Sequence, residues 1–430
     1  MYLKLFFKEK KQISEVFSMN IMFLSIENYS DFNARSIYMD LINEFRKQGH
    51  YVTVISACEQ RDTKSEKPQI IASDRSGEIR KVYVANVTKM SNFILKGINL
   101  MKLLPKYRIA AKKAMKERTY SLVLYGSPPI TVYGAVKAVK KRQNAYSYLL
   151  LKDIWPYDCL FGGALSMKGP KKIAFDYLAL LARRLYDTSD TIGCMSPANV
   201  KFLLENEPYL ESQDKIEICP NSISPKEVYL SEFEKTTIRR KYDIPENKVV
   251  FIYGGSLGVP QGIDFALRAI ASSASVKNAY FVFVGGGTEK NKIANYIETE
   301  KSKNVKLIDM LAKAEYEKLV SACDVGLIFL HHECLSPNYP SRILTYMQAG
   351  IPILCATDTY TDVGKIAEKN GYGLSCESNN EESFVEKVSE FCDENMRSIM
   401  GKNANSYLNS NYTVEKSYEI IMKRVGENGK

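Results

Sequence analysis

The sequence predicts an α/β protein built from two doubly wound parallel sheets, one in each half of the chain, that face each other across a cleft. Apolar segments of strand length alternate with amphipathic helical segments throughout, which is the pattern of a parallel sheet with helices on both faces. The alternation stops at the polar stretch 205–215 and then restarts. At 430 residues the chain also exceeds one ordinary core and suits two domains of about 200 residues each.

The first half contains five predicted strands separated by helices. The strands are expected at residues 21–25, 51–56, 121–125, 147–151 and 191–195. Helices are expected at 37–48, and from the Ser-Pro-Pro sequence at 127–129 to about residue 142. Ligands of such a sheet bind at the carboxyl ends of its strands, so the loops that follow these strands are the candidate functional loops.

The second half repeats the pattern with five more strands, expected at residues 249–253, 279–284, 305–308, 325–330 and 351–355. The predicted domains are residues 19–215 and 216–410, followed by a C-terminal helix at 411–430 that could pack back on the first domain. Residues 1–18 precede the first strand. An upstream start codon or a loose terminus is favoured over a membrane-touching segment, since the basic residues follow the apolar ones.

The composition is that of a globular protein of the cytoplasm. The chain is 45% hydrophobic and 25% charged, and no apolar run approaches the roughly 20 residues that span a bilayer. Nine scattered cysteines without a CxxC pair indicate free thiols rather than disulfides or a zinc site. The pair His331 and His332, beside Glu333, lacks a further ligand motif, so no metal site is predicted.

Charge is divided unequally between the two halves. The net charge is +13 for residues 1–215 and −3 for 216–430, and the segment 88–142 holds thirteen basic residues against one acid, Glu117. This excess predicts a positive surface that binds an anion. No nucleic-acid-binding motif accompanies it, whereas residues 93–104 mix an apolar face with lysines, as an interfacial helix does. An anionic membrane surface is therefore favoured over nucleic acid.

Two predicted strands of the second half run into glycine-rich loops. The first loop contains Gly255, Ser256, Leu257 and Gly258, and the second contains Gly285, Gly286 and Gly287; a predicted helix follows each. Glycines let a backbone approach a ligand closely, and helix-start N–H groups favour a phosphate. A tight turn explains either loop alone, but the two in one parallel domain indicate a nucleoside diphosphate.

Arg342 stands at a predicted helix start within the sequence Pro-Ser-Arg at 340–342. The helix is apolar, ends at Ala349-Gly350, and is followed by a strand. An arginine here adds a fixed positive charge to a site already suited to anions, and the alternative is an ordinary surface arginine. Its place on a strand-to-helix loop with Pro, Ser and two tyrosines favours the functional interpretation.

The segment 336–354 resembles the Pro-Ser-Lys/Arg…Tyr-Met-x-x-Gly-x-Pro signature of glycosyltransferase family 4, whose members are retaining enzymes of the GT-B fold. It is similar more narrowly to the branch that builds bacterial O-antigen and capsule repeats. Supporting matches run along nearly the whole chain, at residues 49–54, 127–129, 152–156, 219–222, 255–258 and 285–287.

The resemblance implies a donor site that lies mostly on the second domain. Backbone N–H groups of residues 255–258 would lie along the diphosphate, and Arg342, beside Ser341, would neutralise the leaving group. Residues 285–287, with Asp309 and Met310, would border the nucleoside, and Thr345 would contact the ribose.

The acceptor side is implied to come from the first domain. Asp153 would orient or deprotonate the attacking hydroxyl, Trp155 would stack on a sugar ring, and Ser127 would lie beside them. The alternative for Asp153 is a cap or turn residue bonded to its own loop.

The implied activity is transfer of a hexose or N-acetylhexosamine from a UDP-linked donor to a lipid-linked saccharide acceptor, with retention and without a metal or other cofactor. The enzyme would sit peripherally on the inner face of the cell membrane. The chain departs from the family pattern in two places. Pro337 and Thr345 replace the glutamates of the Glu-x7-Glu element, and Ser256 and Gln261 stand near the positions of the usual Arg/Lys pair. A sugar-nucleotide 2-epimerase and a non-catalytic GT-B partner are the alternatives.

Overall fold

The computed structural model describes residues 18–63, 69–87, 93–163, 165–226, 230–300 and 302–428. The predicted N-terminal extension at 1–18 lies outside these residues except for Ser18. Residues 88–92 of the basic segment and the last two residues of the predicted C-terminal helix also lie outside them.

The first domain contains an eight-stranded sheet in the order β3-β4-β2-β1-β5-β6-β7-β8. All neighbouring strands are parallel except β3, which pairs antiparallel with β4. The strands are β1 (Asn20–Ser25), β2 (Tyr51–Glu59), β3 (Ile70–Asp74), β4 (Gly77–Val84), β5 (Leu122–Ser127), β6 (Tyr146–Leu151), β7 (Thr191–Cys194) and β8 (Ile216–Ile218).

Two features of this sheet correct the sequence prediction. The hairpin of β3 and β4 makes the sheet mixed rather than purely parallel; β3 is a largely exposed edge strand without the apolar pattern of a core strand. The short strand β8 pairs with β7, so the first sheet extends beyond the predicted boundary at residue 215. The five strands predicted for this half are all present, with ends shifted by a few residues.

Among the described residues before the second domain, five helices pack on the first sheet. Helix α1 begins where the Ser36 hydroxyl accepts a hydrogen bond from the Met39 N–H (3.1 Å), which satisfies one of the free donors of the first turn. The helices are α1 (Ile37–Lys47), α2 (Phe93–Glu117), α3 (Tyr133–Gln143), α4 (Lys171–Thr188) and α5 (Pro197–Asn206).

The second domain contains a six-stranded, fully parallel sheet in the order β11-β10-β9-β12-β13-β14. Its strands are β9 (Val249–Ser256), β10 (Ala279–Gly286), β11 (Val305–Ile308), β12 (Val325–Phe329), β13 (Ile353–Thr357) and β14 (Gly373–Glu377). Its helices are α6 (Glu232–Lys241), α7 (Ile263–Ser272), α8 (Lys290–Thr299), α9 (Lys313–Ser321), α10 (Arg342–Gln348), α11 (Val363–Lys369), α12 (Glu381–Glu390) and α13 (Glu394–Asn411).

The last helix, α14 (Val414–Asn428), returns to the first domain and packs on α1. Ile421 is fully buried there, and the Tyr418 ring lies 5.0 Å from that of Phe45. The Tyr418 hydroxyl also lies 2.9 Å from the His50 Nε2 atom. No described helix is both long and apolar enough to cross a membrane.

The two domains meet through several polar contacts. The Arg35 guanidinium pairs with the Glu317 carboxylate of the second domain at 2.8 Å. The Asp362 carboxylate accepts hydrogen bonds from the Ser196 hydroxyl (2.7 Å) and the Ala198 N–H (2.9 Å) at the start of α5. These contacts place loops from the two sheets around one interdomain cleft.

Candidate active site

Asp153 lies just after β6, in the loop that carries the first sheet toward the second domain. Its backbone N–H donates to the Ser127 carbonyl at the end of β5 (3.3 Å). Its carboxylate receives no hydrogen bond from the described part of the chain, and the charges that act on it are those of Asp158 and Lys152. A cap or turn residue bonds to its own loop, so this geometry favours the functional interpretation of Asp153.

Asp158 is a second carboxyl in the same loop, and it contacts the second domain directly. The Ser336 hydroxyl donates a hydrogen bond to its Oδ1 atom. Its Oδ2 atom is buried without a hydrogen bond of good geometry, although the Ile154 backbone also acts on the carboxyl and lowers its pKa. A buried carboxyl with a raised pKa is a candidate for a functional group.

The two carboxyls titrate together. Burial, reinforced by the negative charge of Asp158 and opposed by Lys152, raises the pKa of Asp153 to about 7. Burial also raises the pKa of Asp158 to about 6, although the hydrogen bond from Ser336 lowers it. A carboxyl with a pKa near neutrality is suited to accept a proton from a sugar hydroxyl.

Lys152 completes the charged group on the first domain. Removal from water lowers the pKa of its ammonium to about 8, whereas the neighbouring Asp153 favours the charged form. The ammonium lies 5.7 Å from the centre of the Tyr38 ring. The Tyr38 hydroxyl in turn covers Gly126 on β5, where a Cβ atom would meet it at 2.2 Å.

The other two predicted acceptor residues differ from expectation. Ser127 is only 1% exposed, and its hydroxyl donates to the Asp153 carbonyl (3.4 Å). Ser127 thus lies beside Asp153, as expected, and helps to hold its loop in place; a contact with an acceptor stays a prediction. Trp155 is half-buried and packs against the core of the first domain, which leaves only part of its ring facing out of the core.

Arg342 opens helix α10 on the second domain. Its guanidinium carbon lies 4.3 Å from the centre of the Tyr253 ring, a cation–π contact that fixes the side chain. It also lies against Gly255, where a Cβ atom would meet it at 3.5 Å. Its Nη1 atom is buried without an acceptor among the described residues. An arginine donor held rigidly beside a glycine loop is suited to bind a phosphate oxygen.

The two glycine loops pack directly on each other. A Cβ atom on Gly285, which has φ +149°, would lie 1.9 Å from the Gly255 carbonyl oxygen. The Leu257 N–H donates to the Gly286 carbonyl (3.0 Å), and the Gly258 N–H donates to the Gln261 side chain (3.0 Å). Both N–H groups have partners within the loops, and their predicted place along a diphosphate stays a prediction. Of the predicted first-loop residues, Gly255 and Ser256 are exposed.

The remaining predicted donor residues surround the same loops. Met310 is 69% exposed, and its methyl group lies 4.0 Å from the Cβ position of Gly286. Asp309 is exposed and pairs with Lys290. Gly287, the last glycine of the second loop, is also exposed. Ser341 is exposed and Thr345 half-buried, on either side of the start of α10.

Sequence reasoning missed Asp158, Ser336 and Tyr253. The signal for Asp158 was a second acid five residues after Asp153, in a loop that follows a strand end. Ser336 and Tyr253 carry no motif of their own, since their roles depend on contacts across the fold. The predicted His331 and His332 rings stack at 4.9 Å, and His331 lies 4.5 Å from Phe161 of the first domain. Within the described ranges, no three His, Cys, Asp or Glu side chains gather in a metal-binding group.

The carboxyl pair thus lies on the first domain, Arg342 and the glycine loops lie on the second, and the hydrogen bond between Ser336 and Asp158 joins the two regions. The second region is suited to bind an anion and the first to take a proton. Both properties favour the transfer of a group from a phosphate ester to a hydroxyl.

Comparisons with known proteins agree with this geometry. The family model "Glycosyl transferases group 1" matches residues 234–407. The probable glycosyltransferase WbjE of Pseudomonas aeruginosa is 23% identical over 353 residues, which cover 82% of this chain and 84% of WbjE. The putative colanic acid biosynthesis glycosyl transferase WcaI of Escherichia coli K12 is 19% identical over 242 residues, 56% of this chain and 58% of WcaI.

Solved structures share the fold at low sequence identity. Sucrose-phosphate synthase from Thermosynechococcus elongatus superposes with a TM-score of 0.73 at 14% identity, over 95% of this chain and 98% of that one. The Anabaena protein Alr3699/HepE, solved with UDP and glucose, has a TM-score of 0.66 at 13% identity, over 95% and 100%. The fold is GT-B, and the relatives together with the family match, which is confined to residues 234–407, make this chain similar to the glycosyltransferases of group 1.

Proposed function

We propose that this protein transfers a hexose or N-acetylhexosamine from a UDP-linked donor to a lipid-linked saccharide acceptor in bacterial capsule or O-antigen synthesis. The observation that carries the donor assignment is the buried Arg342 Nη1 atom, which has no acceptor among the described residues and lies beside the exposed backbone of Gly255. Two structural neighbours support the choice of nucleotide, since Alr3699/HepE was solved with UDP-glucose and an Escherichia coli trehalose-6-phosphate protein with UDP-2-fluoro glucose.

In the proposed reaction the bond between the sugar C1 atom and the diphosphate oxygen breaks, and C1 bonds to the acceptor oxygen. Arg342 stabilises the negative charge that develops on the departing diphosphate. The proton of the acceptor hydroxyl passes to the Asp153 carboxylate or to the diphosphate itself. Attack from the face that the diphosphate leaves gives retention of configuration. The proposed mechanism requires no metal, because the Arg342 guanidinium neutralises the charge of the departing diphosphate.

The proposed location is the inner face of the cell membrane, where a lipid-linked acceptor is held. The basic segment 88–142 supplies the attraction, and its helix α2 carries exposed lysines at 102, 106 and 113. Such charges bind anionic lipid headgroups, and the attraction weakens as salt rises.

A non-catalytic GT-B partner is the second candidate. Two observations favour it: the internal hydrogen bonds of Leu257 and Gly258, and the replacement of the Glu-x7-Glu acids by Pro337 and Thr345. The carboxyl pair and Arg342 favour the enzyme, because a scaffold has no need of a buried arginine nitrogen without an acceptor or of carboxyls with raised pKa values.

A panel of nucleotide sugars tests the proposal. The full-length protein is incubated with UDP-, GDP-, dTDP- and CMP-linked sugars, and released nucleotide is followed by mass spectrometry. We expect slow hydrolysis of a UDP sugar, reduced about 10²-fold or more in Arg342→Ala, the scale for loss of one main electrostatic group. Binding of a nucleotide sugar without turnover would favour the non-catalytic partner. Binding of no nucleotide sugar would reject both the assigned nucleotide and the assigned sugar class.

A further inference from the structure

Helix α2 presents a face to solvent that combines apolar and basic side chains. Leu95, Ile98 and Ile109 are 45%, 51% and 55% exposed. Lys102, Lys106 and Lys113 are exposed at helical spacing on the same face. Glu117, the one acid of the helix, pairs with Arg80 at its far end.

Helix α4 has an exposed apolar stripe that the sequence analysis did not identify. Ile173, Tyr177 and Leu180 are 77%, 48% and 46% exposed, and their spacing of four and three residues places them on one face. Phe175 and Ala182, on the opposite face, are buried in the core. The stripe is therefore additional to the face that folds the helix, and no described residue covers it.

Helix α3 packs on both α2 and α4, so the two faces are connected mainly through it. The Tyr177 hydroxyl of α4 lies 3.8 Å from the Met101 sulfur of α2. The Arg184 guanidinium, one turn beyond Leu180, lies 3.3 Å from the Tyr133 hydroxyl at the start of α3. Together the exposed faces of α2 and α4 form one surface, which we call the α2–α4 surface.

The charge of this surface is positive. Lys171 and Lys172 begin α4, and Arg183 and Arg184 lie near its end, all exposed. The pairs Lys172–Asp176 (2.6 Å) and Arg183–Glu207 (2.8 Å) cancel within themselves, and Asp187 is an exposed acid on the same helix, so α4 contributes less positive charge than α2. Apolar side chains surrounded by Lys and Arg are the features of a surface that lies in the interface of an anionic bilayer. A protein partner would require acidic groups to match the lysines and arginines of this surface. A purely apolar partner would leave these basic side chains without a role.

The position of α4 connects this surface to the candidate active site. The loop after β6 carries Asp153 and Asp158 and runs directly into α4, which begins at Lys171. A bilayer that holds Ile173 and Tyr177 in its interface therefore lies close to the end of the loop that carries Asp153 and Asp158.

We propose that the α2–α4 surface docks on an anionic lipid bilayer, with Ile173, Tyr177 and Leu180 inserted among the headgroups and the lysines of α2 bound to anionic lipid. The proposal deepens the membrane association proposed above, because it assigns the apolar contact to α4. It does not depend on catalysis, so it stands or falls separately from the donor assignment.

Sedimentation of the full-length protein with vesicles tests the proposal. The vesicles contain phosphatidylcholine with or without about one third phosphatidylglycerol. The variants are Ile173→Asp with Leu180→Asp on α4, and Lys102→Glu with Lys113→Glu on α2. The matched control is Phe233→Asp on the second domain, since Phe233 is 78% exposed and lies on α6. All altered side chains are exposed, so thermal unfolding is expected to be unchanged and serves as the folding control.

We expect the wild type to bind the anionic vesicles and not the neutral ones. The α4 variant should bind them at least about tenfold more weakly, because two apolar side chains no longer contact the lipid. The α2 variant should weaken binding by a similar factor, and the Phe233 control should bind like the wild type. Unchanged binding of the α4 variant would overturn the proposal, even if the α2 variant binds weakly. Equal binding to neutral vesicles, or binding to neither kind, would also overturn it.

A fluorescence measurement provides a second readout. The chain has one tryptophan, Trp155, so an added tryptophan is easily followed. Ile173→Trp should be quenched by brominated lipid, and Phe233→Trp should not. Equal quenching of the two would contradict insertion of the α4 stripe.

Discussion

The Ser336 hydroxyl of the second domain donates a hydrogen bond to the Asp158 carboxylate of the first. Ser336 begins the segment that leads to Arg342, and Asp158 raises the pKa of Asp153. This hydrogen bond joins the segment that leads to Arg342 to the loop that carries Asp153 and Asp158, and it favours the charged form of Asp158.

Replacement of Asp158 should change the pH dependence of transfer. Asp158→Asn removes a negative charge next to Asp153, which should lower the pKa of Asp153 because its charged form is no longer opposed. The acidic limb of kcat/KM should then move to lower pH by about one unit. Profiles between pH 5 and 9 check this, with Asp243→Asn, an exposed acid far from the cleft, as the control. An unmoved limb would show that the two carboxyls are not coupled.

Replacement of Asp153 should separate transfer from donor binding. Asp153→Asn keeps the shape of the side chain but can neither carry the charge nor accept the proton. Acceptor-dependent transfer should fall about 10²-fold or more, the range for a general base, whereas nucleotide affinity should stay near the wild type. Steady-state rates and a nucleotide titration are the measurements. A transfer rate within a factor of three of the wild type would show that Asp153 has a structural role only.

The same carboxyls should affect stability in a pH-dependent way. A carboxyl whose pKa is raised on folding stabilises the fold below its unfolded pKa of about 4, and this contribution is lost as pH rises through its folded pKa. For Asp158 and Asp153 the folded values are about 6 and about 7. The stability of Asp158→Asn relative to the wild type should therefore increase from pH 5 to pH 8. Thermal unfolding at four pH values tests this, and a constant difference would contradict it.

Packing of the glycine loops should make Gly285 intolerant of a side chain. An alanine there would place Cβ 1.9 Å from the Gly255 carbonyl oxygen, in a backbone conformation with φ +149°. Gly285→Ala should lower the free energy of unfolding by about 2 kcal/mol or more, as steric conflicts in the core do. Gly426→Ala on α14 is the control, because no atom lies within 4 Å of its Cβ position. Equal effects of the two substitutions in denaturant unfolding would show that the loops separate easily.

Most of the fold could be predicted because the core strands are continuous apolar runs. The strands around Phe251 and Phe281 are buried on both faces, so their pattern identified them. The strand β3 was missed because Ile70 and Ile71 are exposed among polar residues at a sheet edge. Similarly, β14 was missed because its residues after Gly373 are only half-buried. Edge strands lack the burial that produces the pattern, whereas the largely buried β4 was missed because Glu78, Arg80 and Lys81 interrupt its apolar residues.

The candidate site could be predicted only where a loop has a distinctive sequence. Arg342 and the glycine loops were found by their composition at strand ends and helix starts. The partners of the Leu257 and Gly258 N–H groups were not, since they come from Gly286 and Gln261 through a fold that the sequence does not display. The exposed stripe on α4 was likewise hidden, because apolar residues on a helix are ordinarily assigned to the core.

The proposed function depends most on the binding of the diphosphate by Arg342, and a comparison of nucleotide affinities tests this contact most directly. UDP and uridine are titrated into the wild-type protein and into Arg342→Ala by calorimetry. A buried guanidinium that binds the phosphates should make UDP binding at least about 30-fold weaker in the variant, the lower range for loss of a buried charge pair, with uridine affinity unchanged. Equal affinity of the two proteins for UDP would contradict the account.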